Sequence, residues 1–271
     1  LKEDNDAVRG EGCFDMVMQK MDMLREAGVF FGASITATSK SCDEVTSDEF
    51  MKMLSDKGCL WSWFFHYVPV GDSPDVSLVP NAKQRQQILK AVYNARNTLP
   101  MMTVDFWGDG PEMMGCIAGG RQYVHVNPNG DVEPCTFVHL ATHNVKNCTL
   151  TEALAAPFMK AIRDGIPYED GNMLRPCMIV DRPDVLRKYY QEFKPYETHE
   201  NAAAYLTDPK ITSEIDKYSE EVKQILDEDW RNNLWMTIFP LEGEYYVDRD
   251  NFCSRVKPEH KCSGHCAGCG K

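Results

Sequence analysis

Residues 123–135 run Tyr123-Val124-His125-Val126-Asn127-Pro128-Asn129-Gly130-Asp131-Val132-Glu133-Pro134-Cys135. The stretch reads as a strand, a tight turn at Asn127-Pro128-Asn129-Gly130 and a return strand. Cys116 stands ahead of this hairpin with thirteen residues between it and Gly130, four residues separate Gly130 from Cys135, and Cys177 follows in Leu174-Arg175-Pro176-Cys177. A hairpin of this size brings its flanking cysteines near each other. Thiolates gathered in this way make a soft metal site, with iron–sulfur favoured. Disulfide pairing is the competing explanation. The eleven cysteines are odd in number and no signal peptide precedes them, which favours the metal.

Working outward, 271 residues allow a sizeable core and, on length alone, about two domains. A hydrophobic fraction of 43% with 26% charged residues is that of a soluble globular chain and argues against disorder. The net charge of −12 argues against a nucleic-acid backbone or an anionic membrane as partner, since either calls for a basic patch. The longest strongly apolar stretch, Leu60 to Val70, is interrupted by Ser62 and His66 and is too short to span a bilayer. A cytoplasmic location is expected. Asn147-Cys148-Thr149 matches a glycosylation acceptor, but carries no weight without a secretory signal.

Towards the N-terminus, Phe14, Val17, Met18, Met21 and Leu24 recur at helical spacing and Gly28 sits where a helix C-cap belongs. Val29 to Thr38 reads as a strand. Thr46-Ser47-Asp48-Glu49 is a capping-box pattern opening a helix that closes at Gly58. A second strand, Leu60 to Pro69, a helix after Pro80 carrying Ile88, Leu89, Val92 and Ala95, and a third strand, Met101 to Phe106, complete an alternation that implies parallel βα units. Trp107-Gly108-Asp109-Gly110-Pro111 then reads as a linker and domain boundary. Beyond the hairpin, one helix is expected over Thr149 to Gly165 with Leu150, Leu154, Phe158 and Ile162 on its stripe, another over Pro183 to Phe193, and a longer one with a docking face of Ile211, Ile215, Tyr218, Val222 and Ile225.

Strand faces carry further information. Ser34, Thr36 and Thr38 share one face of the first strand, Ser62 and His66 one face of the second, Thr103 and Asp105 one face of the third. Pointing the same way, they would line a polar cavity in a barrel or its mouth. Each hydroxyl bonding a neighbouring backbone group is the alternative. Trp61, Trp63, Phe65 and Tyr67 are read as packing against helices.

Arg9-Gly10, Gly32-Ala33-Ser34-Ile35-Thr36-Ala37-Thr38, Phe65-His66-Tyr67-Val68-Pro69-Val70-Gly71, Gly115-Cys116-Ile117-Ala118-Gly119-Gly120-Arg121 and Asn129-Gly130-Asp131-Val132-Glu133-Pro134-Cys135 together resemble a radical S-adenosylmethionine (radical SAM) enzyme with a SPASM or twitch extension. The resemblance covers roughly residues 1–193. It implies an α/β fold: the distal half of a partial (β/α)6 barrel over 1–106, a twitch/SPASM-like hairpin-plus-helix domain over 107–193, a helical extension over 194–250 and a Cys-rich tail over 251–271. The dense second cysteine group of a full SPASM domain is missing around Cys177, which points to a single auxiliary [4Fe-4S] cluster on Cys116, Cys135 and Cys177.

The resemblance further implies S-adenosyl-L-methionine as cofactor, with Ser34 and Thr36 at its polar groups and the strand carrying His66 and Tyr67 bordering adenine. In the family, three thiolates hold a [4Fe-4S] cluster on which reductive cleavage of that cofactor yields a 5′-deoxyadenosyl radical. That triad, placed after the first barrel strand, is absent here, so the first three βα units are expected to be missing and the chain alone inactive. Cys262-x3-Cys266-x2-Cys269 has the triad's spacing at the wrong end of the chain. With Cys253, His260 and His265 nearby, this tail suits zinc or a second cluster.

The function expected is radical modification of a substrate that is a peptide or a small molecule, fed by an electron donor such as a flavodoxin or ferredoxin. The alternatives are an iron–sulfur electron-transfer or binding module without radical chemistry, and a structural zinc protein.

Overall fold

The computed structural model describes residues 2–71 and 74–232. The tail ligands expected at Cys253, Cys262, Cys266 and Cys269 lie outside the described residues.

Helices α1 (Lys2–Arg9) and α2 (Cys13–Glu26) lead into strand β1 (Gly32–Ala37). Helix α2 ends as its sequence predicts: Gly28 takes φ +66°, its N–H bonds Arg25 O and the Val29 N–H bonds Leu24 O, a Schellman closure. Short helix α3 (Cys42–Val45) and helix α4 (Asp48–Asp56) precede β2 (Trp61–His66), and α5 (Ala82–Thr98) precedes β3 (Met102–Asp105). The α4 cap is Ser47, whose hydroxyl accepts from the Phe50 N–H, while Thr46 instead donates to Cys42 O. Asn81 and Gln84 form a reciprocal capping box on α5. The three strands form a parallel sheet in the order β1-β2-β3, which is the expected mixed α/β alternation.

Register corrects the reading of the strand faces. Ala33 pairs with Ser62 and Ser62 with Thr103, while Ser34 pairs with Trp63 and Trp63 with Val104. Residues paired side by side project from the same face. Ser62, His66, Thr103 and Asp105 therefore share the face packed by the helices with Ile35 and Phe64, and all four are buried. Ser34 and Thr36 point the other way, beside Trp63 and Phe65. Trp61, Trp63 and Phe65, read as helix-packing, belong to that open face, where they and Phe106 form a ladder with centroids 5.0–5.8 Å apart along its steps.

The second half is built from a hairpin, β4 (His125–Val126) and β5 (Val132–Glu133), and from β6 (Leu140–Ala141), α6 (Leu150–Ala155), α7 (Pro157–Asp164), α8 (Pro183–Phe193), β7 (Tyr196–Glu197), α9 (Ala204–Thr207) and α10 (Pro209–Arg231). Strands β6 and β7 pair antiparallel. The single helix expected over 149–165 is two. Ala156, which precedes Pro157, is extended at φ −57°, ψ 144°, because the proline ring excludes the helical conformation from the residue before it. Leu150 is consequently exposed, whereas Phe158 and Ile162 are buried.

Two hydrophobic cores meet at α5. Ile88, Val92 and Ala95 join Ile35, Leu54 and Phe64 in one core, while Leu89 and Tyr93 join Trp107, Cys135 and the α7 and α10 side chains in the other. The stripe of α10 buries Ile215, Tyr218, Val222 and Leu226, packs on α5 and α8, and is pinned by the Tyr218 hydroxyl donating to Pro80 O at 3.0 Å.

Candidate functional site

The segment read as a linker, 107–111, is a packed corner. Trp107 is 2% exposed, and Asp109, also buried, accepts from Arg96 at 2.9 and 3.0 Å, from the Tyr93 hydroxyl at 3.1 Å and from the Asp105 N–H at 3.1 Å. Its glycines answer to space: a Cβ on Gly110 would lie 1.9 Å from Met173 O, and one on Gly108 2.3 Å from the Asp105 carboxylate. This corner forms one wall of a cavity of about 440 Å³.

Cys116, Cys135 and Cys177 all line that cavity. Three separate pieces of backbone deliver them. Cys116 follows Gly115, held at φ +95°; Cys135 lies two residues past β5 of the hairpin, whose turn is closed by the Gly130 N–H bonding Asn127 O; Cys177 sits in the loop before α8. None of the three is in a disulfide; Cys135 is buried and the other two are half-buried. Burial, followed by the charge of Cys135, pushes the Cys116 thiol up to about 12. Burial likewise raises Cys177 and Cys135, and for Cys177 the Asp181 carboxylate adds to it. The neutral thiol is thus the favoured state unless a cation joins the group. Among the described residues, no three His, Cys, Asp or Glu side chains stand close enough to share one metal ion.

The opposite wall comes from the open face of the sheet, with Trp63, Val104 and Phe106, and from Tyr123 and Phe137. The lining is mainly apolar and aromatic, with Arg96 and Glu112 paired at its margin. The cavity therefore lies between the sheet and the cysteines.

The residues expected at a cofactor are divided. Ser34 and Thr36 are exposed on the open face. Tyr67 follows β2 half-buried, its hydroxyl 3.4 Å from the Asp75 N–H. His66 is not with them: it is buried on the helix-packed face, Nε2 lies 3.1 Å from Asp105 Oδ1, and its ring stacks on Trp107 at 4.8 Å. Burial opposes charge on Asp105, but His66 and the N–H groups of Trp107 and Gly108 hold its carboxyl below the usual range. His66 is better described as the packing partner of this aspartate than as a cofactor contact.

Two residues near the cysteines carry no sequence signal. Asp181 accepts from the Cys177 N–H at 3.0 Å, and Arg85 of α5 pairs with Asp181 from 96 positions away.

No protein-family model matches the chain. It is similar to an AdoMet-dependent heme synthase of Nitratidesulfovibrio vulgaris, 25% identical over an alignment of 174 residues that covers 55% of this chain and 47% of that protein. It is also similar to the mycofactocin maturase MftC of Mycolicibacterium smegmatis, 31% identical over 50% of this chain and 36% of that protein. The chain thus spans less than half the length of these curated relatives. Among solved structures, native anSMEcpe with bound AdoMet and Cp18Cys peptide aligns at 13% identity and a TM-score of 0.48, covering 77% of this chain and 64% of that one. Native anSMEcpe with bound AdoMet alone aligns at 13% identity and a TM-score of 0.46, covering 80% and 62%. The sequence relatives bear out the resemblance to radical SAM enzymes.

Proposed function

We propose that this chain is part of a radical SAM enzyme in which Cys116, Cys135 and Cys177 hold one auxiliary iron–sulfur cluster beside the substrate cavity. The observation that carries the reading is that three cysteines from separate stretches line a single cavity shared with the open face of the parallel sheet. S-adenosylmethionine and its [4Fe-4S] cluster, when bound, would supply hydrogen-abstracting radical chemistry.

The chain's own residues would do the rest. Ser34, Thr36 and Tyr67 present hydroxyls to the cofactor side of the open face, in the partial-barrel unit of residues 1–106. The unit at 107–193, twitch-like in its hairpin and cysteines, closes the other side. A substrate, peptide or small molecule, would meet mainly apolar side chains, with Trp63, Phe106, Tyr123 and Phe137 excluding water from the reacting group. A flavodoxin or ferredoxin would serve as the electron donor.

Anaerobic reconstitution with iron and sulfide tests this reading. The expected result is about four irons and four labile sulfides for the hairpin site and a broad visible absorption. Zinc at one equivalent with no labile sulfide overturns it.

A further inference from the structure

Arg85 and Asp181 form an ion pair whose side chains are 3% and 0% exposed. Burying two charges is costly, and replacing such a pair by apolar side chains is often neutral for stability, so stability alone is a poor reason to keep one. The pair here is built into the cysteine loop. Asp181 Oδ2 accepts from the Cys177 N–H at 3.0 Å, and the Asp181 N–H returns a bond to Cys177 O at 2.9 Å, so that the loop closes on itself around the cysteine. Arg85 donates from Nη2 to Leu174 O at 3.1 Å, three residues before Cys177, while Ser219 of α10 donates to Asp181 O at 3.0 Å. The backbone on both sides of the third cysteine is therefore held by α5, a helix of the sheet unit, and by α10.

We infer that Arg85 and Asp181 are positioning residues for the auxiliary cluster, fixing Cys177 at the cavity through the bond from its backbone N–H to the Asp181 carboxylate. This rests on the reading of Cys116, Cys135 and Cys177 as cluster ligands. The buried pair also places a carboxylate and a guanidinium in the Cys177 loop, and a cluster's reduction potential depends on such local charges and hydrogen bonds.

The test compares two charge-free pairs. Arg85→Met/Asp181→Leu removes the ion pair and the acceptor for the Cys177 N–H; Arg85→Met/Asp181→Asn removes the charges and keeps an acceptor oxygen. Both are reconstituted anaerobically beside the parent, and near-ultraviolet circular dichroism verifies the fold. The Met/Leu chain should hold less than half the parent's iron and sulfide, with a changed electron paramagnetic resonance signal. The Met/Asn chain should regain most of the iron with a shifted midpoint potential. In the cluster-free proteins, hydrogen exchange at the Cys177 amide should be slow in the parent, intermediate in Met/Asn and fast in Met/Leu. Equal iron, signal and potential in all three chains overturns the inference and leaves the pair a structural tie. Should Met/Leu fail to fold, Met/Asn decides: parent-like potential together with parent-like exchange overturns the inference. A parent that takes up no iron and sulfide overturns the cluster reading itself, and the inference with it.

Discussion

Cys135 lies two residues past β5, bridges to Val138 and is packed in the same core as Val132, Val138 and Leu140, so its thiol is held by a well-packed stretch of backbone. Replacing it with alanine should abolish the visible absorption and the labile sulfide of the reconstituted protein, since two thiolates cannot hold a cubane cluster stably. Iron and sulfide assays on Cys135→Ala read this directly, and parent-like content would remove Cys135 from the ligand set. A second residue offers a pH-dependent prediction away from the cysteines. Burial raises the Asp170 carboxyl, but paired N–H donors and charge from Arg182, one at 2.6 Å, outweigh it and hold it below its ordinary range. A carboxylate with a lowered folded pKa adds stability that is complete above its unfolded pKa of about 4 and disappears as pH falls through the folded value. The melting temperature of Asp170→Asn should therefore lie below the parent's at pH 7, by a modest amount given the group's part exposure. The two should converge as pH falls through the lowered folded value. A gap that persists at low pH would mean the asparagine costs packing rather than charge.

At the scale of elements, the hairpin turn depends on Gly130. Its φ of +90° is open to glycine and strained for other residues, and a Cβ there would lie 2.9 Å from Asn144 Oδ1. Asn144 cannot yield freely, because its amide nitrogen donates to Asn129 O at 3.0 Å and to Asp131 at 2.8 Å. Gly130→Ala should cost about 1–3 kcal/mol from backbone strain, seen as a lowered denaturation midpoint with unchanged slope. A midpoint within error of the parent's would show that the turn relaxes. What could be read from the sequence at this scale was set by whether the signal is local. The Gly28 closure, Pro183 at the first turn of α8 and the apolar stripe of α10 are each written in neighbouring residues, and each is found. Pro157 was as local a signal and shows that one apolar stripe does not make one helix. The facing of the strands was not legible, because only the pairing of Ser34 with Trp63 decides that Ser34 and Ser62 oppose each other. That Cys116, Cys135 and Cys177 come to one cavity was legible from spacing, and the packing of the Trp107 corner was not, since its Asp109 and Gly110 meet Arg96 and Met173, which lie on either side of it in sequence.

Across the whole molecule, apolar surface is unevenly covered. Phe30 is 70% exposed and Met102 61%, with Val29, Leu60 and Trp61 exposed beside them. The register that aligns Gly32 with Trp61 and Trp61 with Met102 puts these side chains along one end of the sheet. Among the described residues β1 pairs only with β2, which leaves its outer row of backbone N–H and C=O groups without a strand. An apolar rim next to an open strand edge is a site for association, because a second surface gains both buried area and backbone hydrogen bonds there. The net charge of −12 opposes contact between copies and weakens as salt screens it. Self-association of the 271-residue chain should therefore grow with concentration and with added salt, and Phe30→Ser/Leu60→Ser, at two rim residues outside the cavity lining, should reduce it while leaving the cysteine cavity intact. Sedimentation velocity over a range of protein and salt concentrations measures this. A parent chain that stays monomeric throughout would rule this rim out as a site of self-association.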